Sequence, residues 1–465
     1  MEQFVAINKA VNGFVWGPVM LALLVGTGVY LSVAVGFIQF SKIGYWWKNT
    51  IGKIFKKGEA GDGEITPLQA VSTALASTVG TGNIAGVTGA IVLGGPGAVF
   101  WMWLSALFGM VTKFSEVTLA VKYRERNEKG DWCGGPMYYI KNGLGPKWKW
   151  LGGVFAVLGA IAAFGIGNIA QVHSIADSVK SVAIAFNENA ASKETMICLI
   201  TGICVAAFVA LVLLGGVKRI GQVTEKLVPI MAVLYLVGGL ILLILRLPYL
   251  PETIGMIFKY AFFPNAIIGG SLGYALKMAV SQGVKRGLFS NEAGMGSTPH
   301  AHAMAKVKHP HEQGVVAMTG VFIDTFVVLT MTALVVISTL YAGNGILSAG
   351  AAEGVSKANM AQLAFGTVLG SRAGSMFVAV CLLFFAFSTI LSWNFFGRLN
   401  VSWLLGEKAV GVYSVLAIGF IFLGSCLSND LVWELADLFN QLMVLPNVLA
   451  LVTLGGLVAA ACRRK

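Results

Sequence analysis

The chain has 465 residues, of which 56% are hydrophobic and 12% are charged, and its mean hydropathy is +0.77. A soluble domain usually carries about a quarter charged residues, so this composition excludes a soluble globular protein and predicts a polytopic membrane protein. The net charge of +12 is accounted for by basic loops beside anionic lipid, and no basic face with stacking aromatics indicates nucleic-acid binding.

Windows of about 20 apolar residues, the length that crosses a hydrocarbon core of about 30 Å, recur along the chain with short polar gaps. They predict an all-α protein with eleven membrane spans. The spans are 14–40, 66–93, 97–123, 150–187, 195–215, 222–245, 267–305, 314–340, 375–405, 410–426 and 431–462. The first span is too long for a cleavable signal peptide and lacks a basic n-region and a cleavage site, so we expect it to be retained.

Lysine and arginine follow alternate predicted spans. These residues are Lys42, Lys48, Lys53, Lys56 and Lys57; Arg124, Arg126, Lys129, Lys141, Lys147 and Lys149; Lys218, Arg219 and Lys226; Lys306 and Lys308; Arg398 and Lys408; and Arg463, Arg464 and Lys465. The positive-inside rule places these loops in the cytoplasm. The expected topology in the cell membrane therefore has the N-terminus outside and the C-terminus inside.

Two predicted spans are interrupted by polar, glycine-rich stretches: "STVGTGNIAG" at residues 77–86 and "FSNEAGMGSTPHAHA" at residues 289–303. Non-helical backbone at membrane depth is tolerated only where it lines a cavity or is buried in protein, so each break indicates a functional site. The alternative is that glycine there only permits close helix packing.

If the first span is set aside, the breaks fall in the first and sixth of ten helices. This placement matches inverted five-helix repeats whose discontinuous helices meet at the bilayer midplane. The predicted organisation is an extra N-terminal helix and basic loop at 1–65, a first repeat at 66–245 and a second repeat at 246–465. No residue-level similarity links the halves, so this prediction depends on the break positions.

Four segments resemble the alanine or glycine:cation symporter family. They are "GGPGAVFWMWLSALFG" at 94–109, "DWCGGPMYYI" at 131–140, "GVKRGLFSNEAGMGS" at 283–297 and "LADLFNQLMVLPNVLAL" at 435–451. The resemblance spans nearly the full length. It implies the LeuT-like fold and secondary transport of small neutral amino acids, alanine or glycine, driven by sodium or occasionally by protons. The choice between alanine and glycine stays open, and no required protein partner is indicated.

At the first break, free N–H groups at the positive end of a half-helix can bind an α-carboxylate. The residues expected around this carboxylate are Thr78, Gly80, Thr81, Gly82 and Asn83. Freed carbonyls of Ala76 and Val79 can coordinate a hard cation, which prefers oxygen ligands. In the LeuT-like arrangement, Ser388 and Thr389 of the ninth span complete this sodium site, although such hydroxyls often bond back to the preceding helical turn. The same arrangement implies that the Asn83 amide oxygen lies near an ion.

The remaining pocket residues come from three other spans. Trp393 lies one turn after Thr389 and is expected to form a wall. Phe164, Asn168 and Gln171 are spaced to share a helical face, which suggests Gln171 as a polar substrate contact and Phe164 as an apolar wall. The second break is expected to contribute Ser290, Asn291, Gly294, Met295 and Gly296.

Several intramembrane charges have two interpretations. Glu292 either receives the substrate ammonium or a proton, or it holds the backbone at the second break. His173 is either a proton relay or a hydrogen-bonded interior histidine. Asp324, the pair Lys113 and Glu116, and Asp437 are expected to be paired structural or gating groups.

An enzyme and a channel are the alternatives to a carrier. No HExxH or GxSxG motif occurs, and the His300–His302 and His309–His311 pairs are spaced two apart, which points them to different faces of a helix. A channel would need a repeated selective ring, whereas this chain has two non-identical breaks. A carrier is therefore the favoured interpretation.

Overall fold

The computed structural model describes residues 13, 17–44, 46–47, 67–128, 130–264, 271–348, 355, 359–427 and 429–463. Within this part of the chain the structure is helical apart from one small hairpin. Seven described helices are long and apolar enough to cross a membrane, or eight if a bent helix pair is counted as one span. This is a polytopic membrane protein.

The α-helices are numbered in chain order. They are α1 (Pro18–Ala34), α2 (Ile38–Ser41), α3 (Pro67–Thr78), α4 (Ala85–Gly94), α5 (Ala98–Lys122), α6 (Pro136–Gly143), α7 (Lys149–Ala162), α8 (Ala170–Phe186), α9 (Glu194–Leu213), α10 (Gly216–Leu245), α11 (Leu250–Phe262), α12 (Leu272–Asn291), α13 (Pro299–Ala303), α14 (Pro310–Val321), α15 (Thr330–Leu340), α16 (Met360–Leu369), α17 (Ser371–Leu405), α18 (Ala409–Gly424) and α19 (Asn429–Arg463). Strands β1 (Glu125–Arg126) and β2 (Trp132–Cys133) pair antiparallel between α5 and α6.

Two segments of π-helix continue α-helices within the membrane region. One, Ala163–Ile169, joins α7 to α8, and the other, Phe322–Leu329, joins α14 to α15. Short 3-10 turns cover Thr81–Asn83, Pro146–Trp148, Glu188–Lys193 and Leu247–Tyr249. Because π-helical turns are rare and frequently lie at functional sites, both segments mark positions near a candidate site.

The span-length helices agree in position with predicted spans. They cover Ala98–Lys122, Pro146–Phe186, Glu188–Leu213, Gly216–Leu245, Pro310–Leu340, Ser371–Leu405 and Glu434–Cys462. The first and tenth predicted spans contain the shorter apolar helices α1 and α18. The count of eleven stays a prediction, and the predicted basic residues Lys48, Lys53, Lys56, Lys57, Lys129, Arg464 and Lys465 lie outside the described residues.

Both helix breaks occur where the glycine clusters predicted them. Helices α3 and α4 meet at Gly80 with a bend of 51°. Helix α12 ends at Asn291, and α13 begins at Pro299 with its proline in the first turn, where a missing N–H costs least. The breaks therefore leave unpaired backbone inside the helical assembly.

The helices around the breaks pack closely because glycines let their backbones approach. Helix α5 packs on α12 and α14, and a Cβ added at Gly283 would lie 2.4 Å from the Ala98 carbonyl oxygen. Helix α17 packs on α3, α8, α10 and α16. Between α3 and α10, the buried hydroxyls of Thr73 and Thr224 are 3.1 Å apart. These contacts enclose the first break between α17 and α12.

The additional N-terminal helix α1 lies behind the second break. It packs on α5 and α19, with Gly28 against Phe108. Leu24 of the same helix is buried, and its side chain would lie 2.9 Å from a Cβ added at Gly294. Helix α1 thus closes one side of the second break.

We expect Gly296→Ala to destabilise the protein. Gly296 has a φ of 79°, and an added Cβ would lie 2.6 Å from Pro136 Cγ and 2.8 Å from Phe155 Cε2. The left-handed backbone costs roughly 1–2 kcal/mol for an L residue, and the overlap adds to that cost. The measurement is thermal unfolding of the purified protein in detergent.

Gly130→Ala is the matched control, because Gly130 has a φ of 82° but no atom within 4 Å of an added Cβ. Its melting temperature should fall by less than that of Gly296→Ala. Equal shifts in melting temperature would show that packing around Gly296 contributes nothing to stability.

Candidate functional site

Three of the predicted cation ligands, Ala76, Ser388 and Thr389, lie together where α17 faces the first break. Thr389 Oγ1 donates to the Ala76 carbonyl at 2.9 Å, and Ser388 Oγ lies 3.4 Å from the same oxygen. Each hydroxyl also lies 2.9 Å from the Phe385 carbonyl. A hydroxyl has one hydrogen, so when it donates to Phe385, its oxygen and the Ala76 carbonyl are both free to face a cation.

Val79, three residues after Ala76 in the chain, is the fourth predicted cation ligand. Its side chain is buried, and its carbonyl receives no hydrogen bond from any described residue. Carbonyl and hydroxyl oxygens without thiolate or imidazole suit a hard cation such as sodium. No group of three or more His, Cys, Asp or Glu residues within the described ranges could hold a metal ion. The residues present therefore fit an alkali cation bound by neutral oxygens.

The amide side of the first break offers two free donors. The Gly80 N–H donates to the Thr78 carbonyl at 3.0 Å and to Asn83 Oδ1 at 2.9 Å. In contrast, the N–H groups of Thr81 and Gly82 have no partner among the residues the structure describes. Thr81 Oγ1 is also buried without a partner. In this conformation, the donors available to a carboxylate are those of Thr81 and Gly82.

Two predicted site residues at this break make local hydrogen bonds. Thr78 Oγ1 bonds back to the carbonyls of Ala74 and Leu75, each at 3.3 Å. The Asn83 amide oxygen accepts the Gly80 N–H, which stabilises the 3-10 turn. The oxygen that the resemblance placed near an ion is thus engaged within the break.

Asp324 connects the two breaks. Its carboxylate accepts hydrogen bonds from Asn83 Nδ2 at 2.7 Å, Ser290 Oγ at 3.0 Å and Thr325 Oγ1 at 2.9 Å. An acid in an apolar span is a sequence signal for function. The sequence could not identify its partner, however, because Asn83 lies 241 residues away.

Side chains from α5 and α19 satisfy the backbone of the second break. Lys113 Nζ donates to the Glu292 carbonyl at 2.9 Å, and Glu116 Oε1 accepts the Gly296 N–H at 2.9 Å. Asn447 Nδ2 donates to the Gly294 carbonyl at 2.9 Å. Lys113 and Glu116 lie one turn apart on α5, so the helix presents both charges to the same unwound segment.

Asn291 and Met295 lie within the same break. Asn291 Oδ1 accepts the Ala293 N–H at 3.0 Å, and Met295 is buried with its N–H 3.3 Å from the Glu292 carbonyl. The predicted pocket residues Asn291, Gly294 and Met295 therefore lie together, with Ser290 one residue before them.

Trp393 faces the second break from α17. Its indole N–H donates to Glu292 Oε1 at 2.9 Å, and a Cβ added at Gly167 would lie 2.3 Å from Trp393 Cβ. The ring thus lies between the π segment 163–169 and Glu292. Sequence reasoning placed Trp393 at the pocket but did not find this hydrogen bond.

Phe164 and Gln171 were predicted to share one helical face, but the π segment 163–169 changes the direction of their side chains. Gln171 Nε2 donates to the Ile166 carbonyl, five residues earlier, and Gln171 Oε1 is buried without a partner. Phe164 stacks on Tyr413 and Phe420 of α18, with ring centroids 5.1 and 4.6 Å apart. An α-helical wheel does not apply across a π turn, which explains why Phe164 packs on α18.

Asp437 and His173, two ionisable residues that the sequence predicts to lie in membrane spans, belong to helices α19 and α8 and not to either break. Asp437 of α19 forms ion pairs with Lys285 at 2.5 Å and Arg286 at 3.3 Å, which join α12 to α19. His173 is partly buried in α8. The Asp437 pairs are the kind of structural or gating contact expected from the sequence.

The sequence of this chain is similar to those of known membrane transporters. The profile of the sodium:alanine symporter family matches residues 1–464. The chain is 43% identical over 461 residues to the sodium/alanine symporter AgcS of Methanococcus maripaludis, covering 98% of this chain and 96% of that protein. It is 42% identical over 450 residues to an uncharacterized transporter of Haemophilus influenzae, covering 97% and 93% of the two chains.

The fold is similar to that of a solved transporter. The structure of MhsT in complex with L-phenylalanine aligns with a TM-score of 0.56 at 13% identity, covering 85% of this chain and 97% of that chain. At this identity the likeness concerns the fold alone. The helical architecture is thus LeuT-like.

Proposed function

This chain belongs to the sodium:alanine symporter family, and we propose that it takes up a small neutral amino acid, alanine or glycine, by sodium-coupled symport with alternating access. It is a transporter and not an enzyme. The observation that carries the proposal is the contact of the Thr389 hydroxyl with the Ala76 carbonyl at a helix break, which assembles oxygen ligands from two helices. A cation bound there holds the two helices together, and this couples ion binding to their arrangement.

Sodium binds as co-substrate between Ala76, Val79, Ser388 and Thr389. The substrate carboxylate binds the amides of the first break at Thr81 and Gly82, with Gly80 joining if its bond to Asn83 opens. The substrate ammonium faces carbonyls at the C-terminal end of α12, where the helix dipole favours positive charge. The surrounding pocket residues are Thr78, Asn83, Gln171, Asn291, Gly294, Met295 and Trp393, whereas Phe164 stacks on α18.

The narrow space at Gly82 supports a compact substrate. A Cβ added at Gly82 would lie 3.2 Å from Ser290 Cα and 3.3 Å from Phe289 Cδ1. The end of α12 thus leaves little room beside the Gly82 amide, where we propose that the substrate carboxylate binds. This closeness favours glycine and alanine over larger amino acids.

The proposed topology has eleven spans in the cell membrane, with the N-terminus outside and the C-terminus inside. Residues 66–245 and 246–465 form the two inverted repeats, and residues 1–65 form the additional helix and its basic loop. The two breaks lie in the first proposed membrane span of each repeat, so the repeat axis passes between them.

Uptake of radiolabelled alanine into proteoliposomes tests the function. We expect concentrative uptake under an inward sodium gradient, its collapse when sodium is replaced by potassium, and competition by glycine but not by phenylalanine. D-alanine as a further competitor measures stereoselectivity. Uptake that only equilibrates would indicate a channel, and uptake that follows an imposed proton gradient without sodium would replace sodium with protons as the driving ion.

A further inference from the structure

Glu292 occupies a backbone position that glutamate disfavours. It directly follows Asn291, the last residue of α12, with a φ of 55° and a ψ of 22° in the left-handed region, and it is 1% exposed. A left-handed backbone costs an L residue other than glycine roughly 1–2 kcal/mol. Glycine is the residue usually found at such a helix end, so a glutamate here is strained, and its side chain must compensate for that strain.

The carboxylate of Glu292 binds donors from three separate elements. Oε1 accepts the Trp393 indole N–H of α17 at 2.9 Å. Oε2 accepts Ser297 Oγ of the second break and lies 3.3 Å from Ser77 Oγ of α3, whose one hydrogen is shared between this carboxylate and the Ala74 carbonyl at 2.8 Å. No described residue donates a backbone N–H to this carboxylate. It joins side chains, in contrast to the backbone clamp that was one interpretation of the sequence.

The backbone of Glu292 is held independently of its side chain. Lys113 Nζ donates to the Glu292 carbonyl at 2.9 Å and to Thr298 Oγ1 at 2.7 Å. The unwound segment therefore has an anchor on α5 that does not require the carboxylate. The charged groups that interact with the Glu292 side chain are Lys113 and Asp324. A substitution that removes only the side-chain charge leaves the Lys113 bond in place.

Two of the three donors are adjacent to the proposed sodium ligands. Ser77 directly follows Ala76, and Trp393 lies one turn after Thr389 on α17. The carboxylate consequently forms a second connection between the same two helices that the proposed sodium site joins. It extends this connection to the second break through Ser297.

We propose that Glu292 is the positioning residue that aligns the Ala76 carbonyl with Thr389 and transmits sodium occupancy from the first break to the second. This inference rests on the proposed function. Glu292 touches neither sodium nor substrate in this role. When the Trp393 and Ser77 bonds open, α3 is free to move away from α17, which separates the sodium ligands and releases the second break from the first.

Glu292→Gln tests the inference, because glutamine keeps the size of the side chain but removes its charge and replaces one acceptor oxygen with an NH2 donor. We expect the sodium concentration for half-maximal alanine uptake to rise about tenfold, equivalent to about 1.4 kcal/mol. The alanine KM measured at saturating sodium should change by less than about twofold, because Glu292 does not touch the substrate in this role. This is well below the tenfold change that about 1.4 kcal/mol would give. A general structural defect would lower the maximal rate without this separation of the two constants.

Trp393→Phe removes the indole N–H and keeps an aromatic ring. It should raise the sodium half-saturation constant to a similar extent. Combining it with Glu292→Gln should raise the constant little further, because both substitutions act on the same Trp393–Glu292 contact. The exposed carboxylate variant Glu188→Gln is the control and should match the unmodified protein. Detergent melting curves identify any variant that has lost its fold.

The outcomes separate the two proposals. Absence of sodium-driven uptake in the unmodified protein overturns the proposed function. Sodium-driven uptake in the unmodified protein with an unchanged sodium half-saturation constant in Glu292→Gln overturns this inference alone. An altered alanine KM with an unchanged sodium constant in Trp393→Phe would assign Trp393 to the substrate wall only and would also overturn it.

Discussion

Gly80→Ala is expected to abolish sodium-driven alanine uptake, with a loss of about 100-fold or more, corresponding to about 2.7 kcal/mol. A Cβ added at Gly80 would lie 2.4 Å from Thr389 Oγ1. Threonine in a helix has two accessible χ1 positions, so Thr389 could relieve the overlap by rotating. That rotation moves the hydroxyl away from the Ala76 carbonyl. If Thr389 does not rotate, the backbone at residue 80 must move away from α17. Both changes disrupt the proposed sodium site.

The measurement is alanine uptake into proteoliposomes with protein orientation and amount matched. Gly86→Ala is the control in the same sequence stretch, because an added Cβ there meets only the Thr81 carbonyl oxygen at 4.0 Å. Gly86 lies in α4, where alanine is a better helix former than glycine by about 1 kcal/mol. Gly86→Ala should transport normally. Normal sodium-driven uptake in Gly80→Ala would contradict the proposed sodium site.

Thr389→Val should weaken sodium dependence more than alanine binding. Valine keeps the shape of threonine but removes the hydroxyl that contacts Ala76 at 2.9 Å. Losing one of the four proposed oxygen ligands should raise the sodium half-saturation constant about tenfold or more, equivalent to about 1.4 kcal/mol. The checks are sodium titrations of uptake and alanine binding at saturating sodium.

Two variants serve as controls for Thr389→Val. Thr389→Ser retains a hydroxyl and should keep most of the sodium response. Thr339→Val removes a buried hydroxyl that bonds back to the Val335 carbonyl at 2.7 Å on α15, away from the proposed site. It should leave the sodium response unchanged. If Thr389→Val and Thr339→Val respond equally to sodium, the hydroxyl of Thr389 is not a ligand.

The predictions from sequence were strongest where a local pattern has a physical cost. Glycine clusters in apolar spans predicted both breaks, because unpaired backbone is too costly in lipid to occur without a reason. The break at Gly80 and the unwound segment after Asn291 lie where these clusters are. Hydropathy also predicted the long helices, whereas α1 and α18 are shorter than the spans predicted there.

The prediction was weaker where the helix period changes. Phe164 and Gln171 were assigned to one face with an α-helical period, but residues Ala163–Ile169 form a π-helix. An inserted π turn rotates every following side chain, and no local residue pattern announced it. Phe164 accordingly stacks on α18, and Gln171 bonds within its own helix.

By itself, the sequence determined the membrane class, the positions of the two breaks and the residue types that could bind a cation and a carboxylate. The tertiary structure alone decided which side chains meet. Asn83 and Asp324 are 241 residues apart, Ser77 and Glu292 are 215 apart, and Glu292 and Trp393 are 101 apart. Hydropathy and helical periodicity report only neighbours along one helix, so contacts between breaks and across helices emerge only once the helices pack.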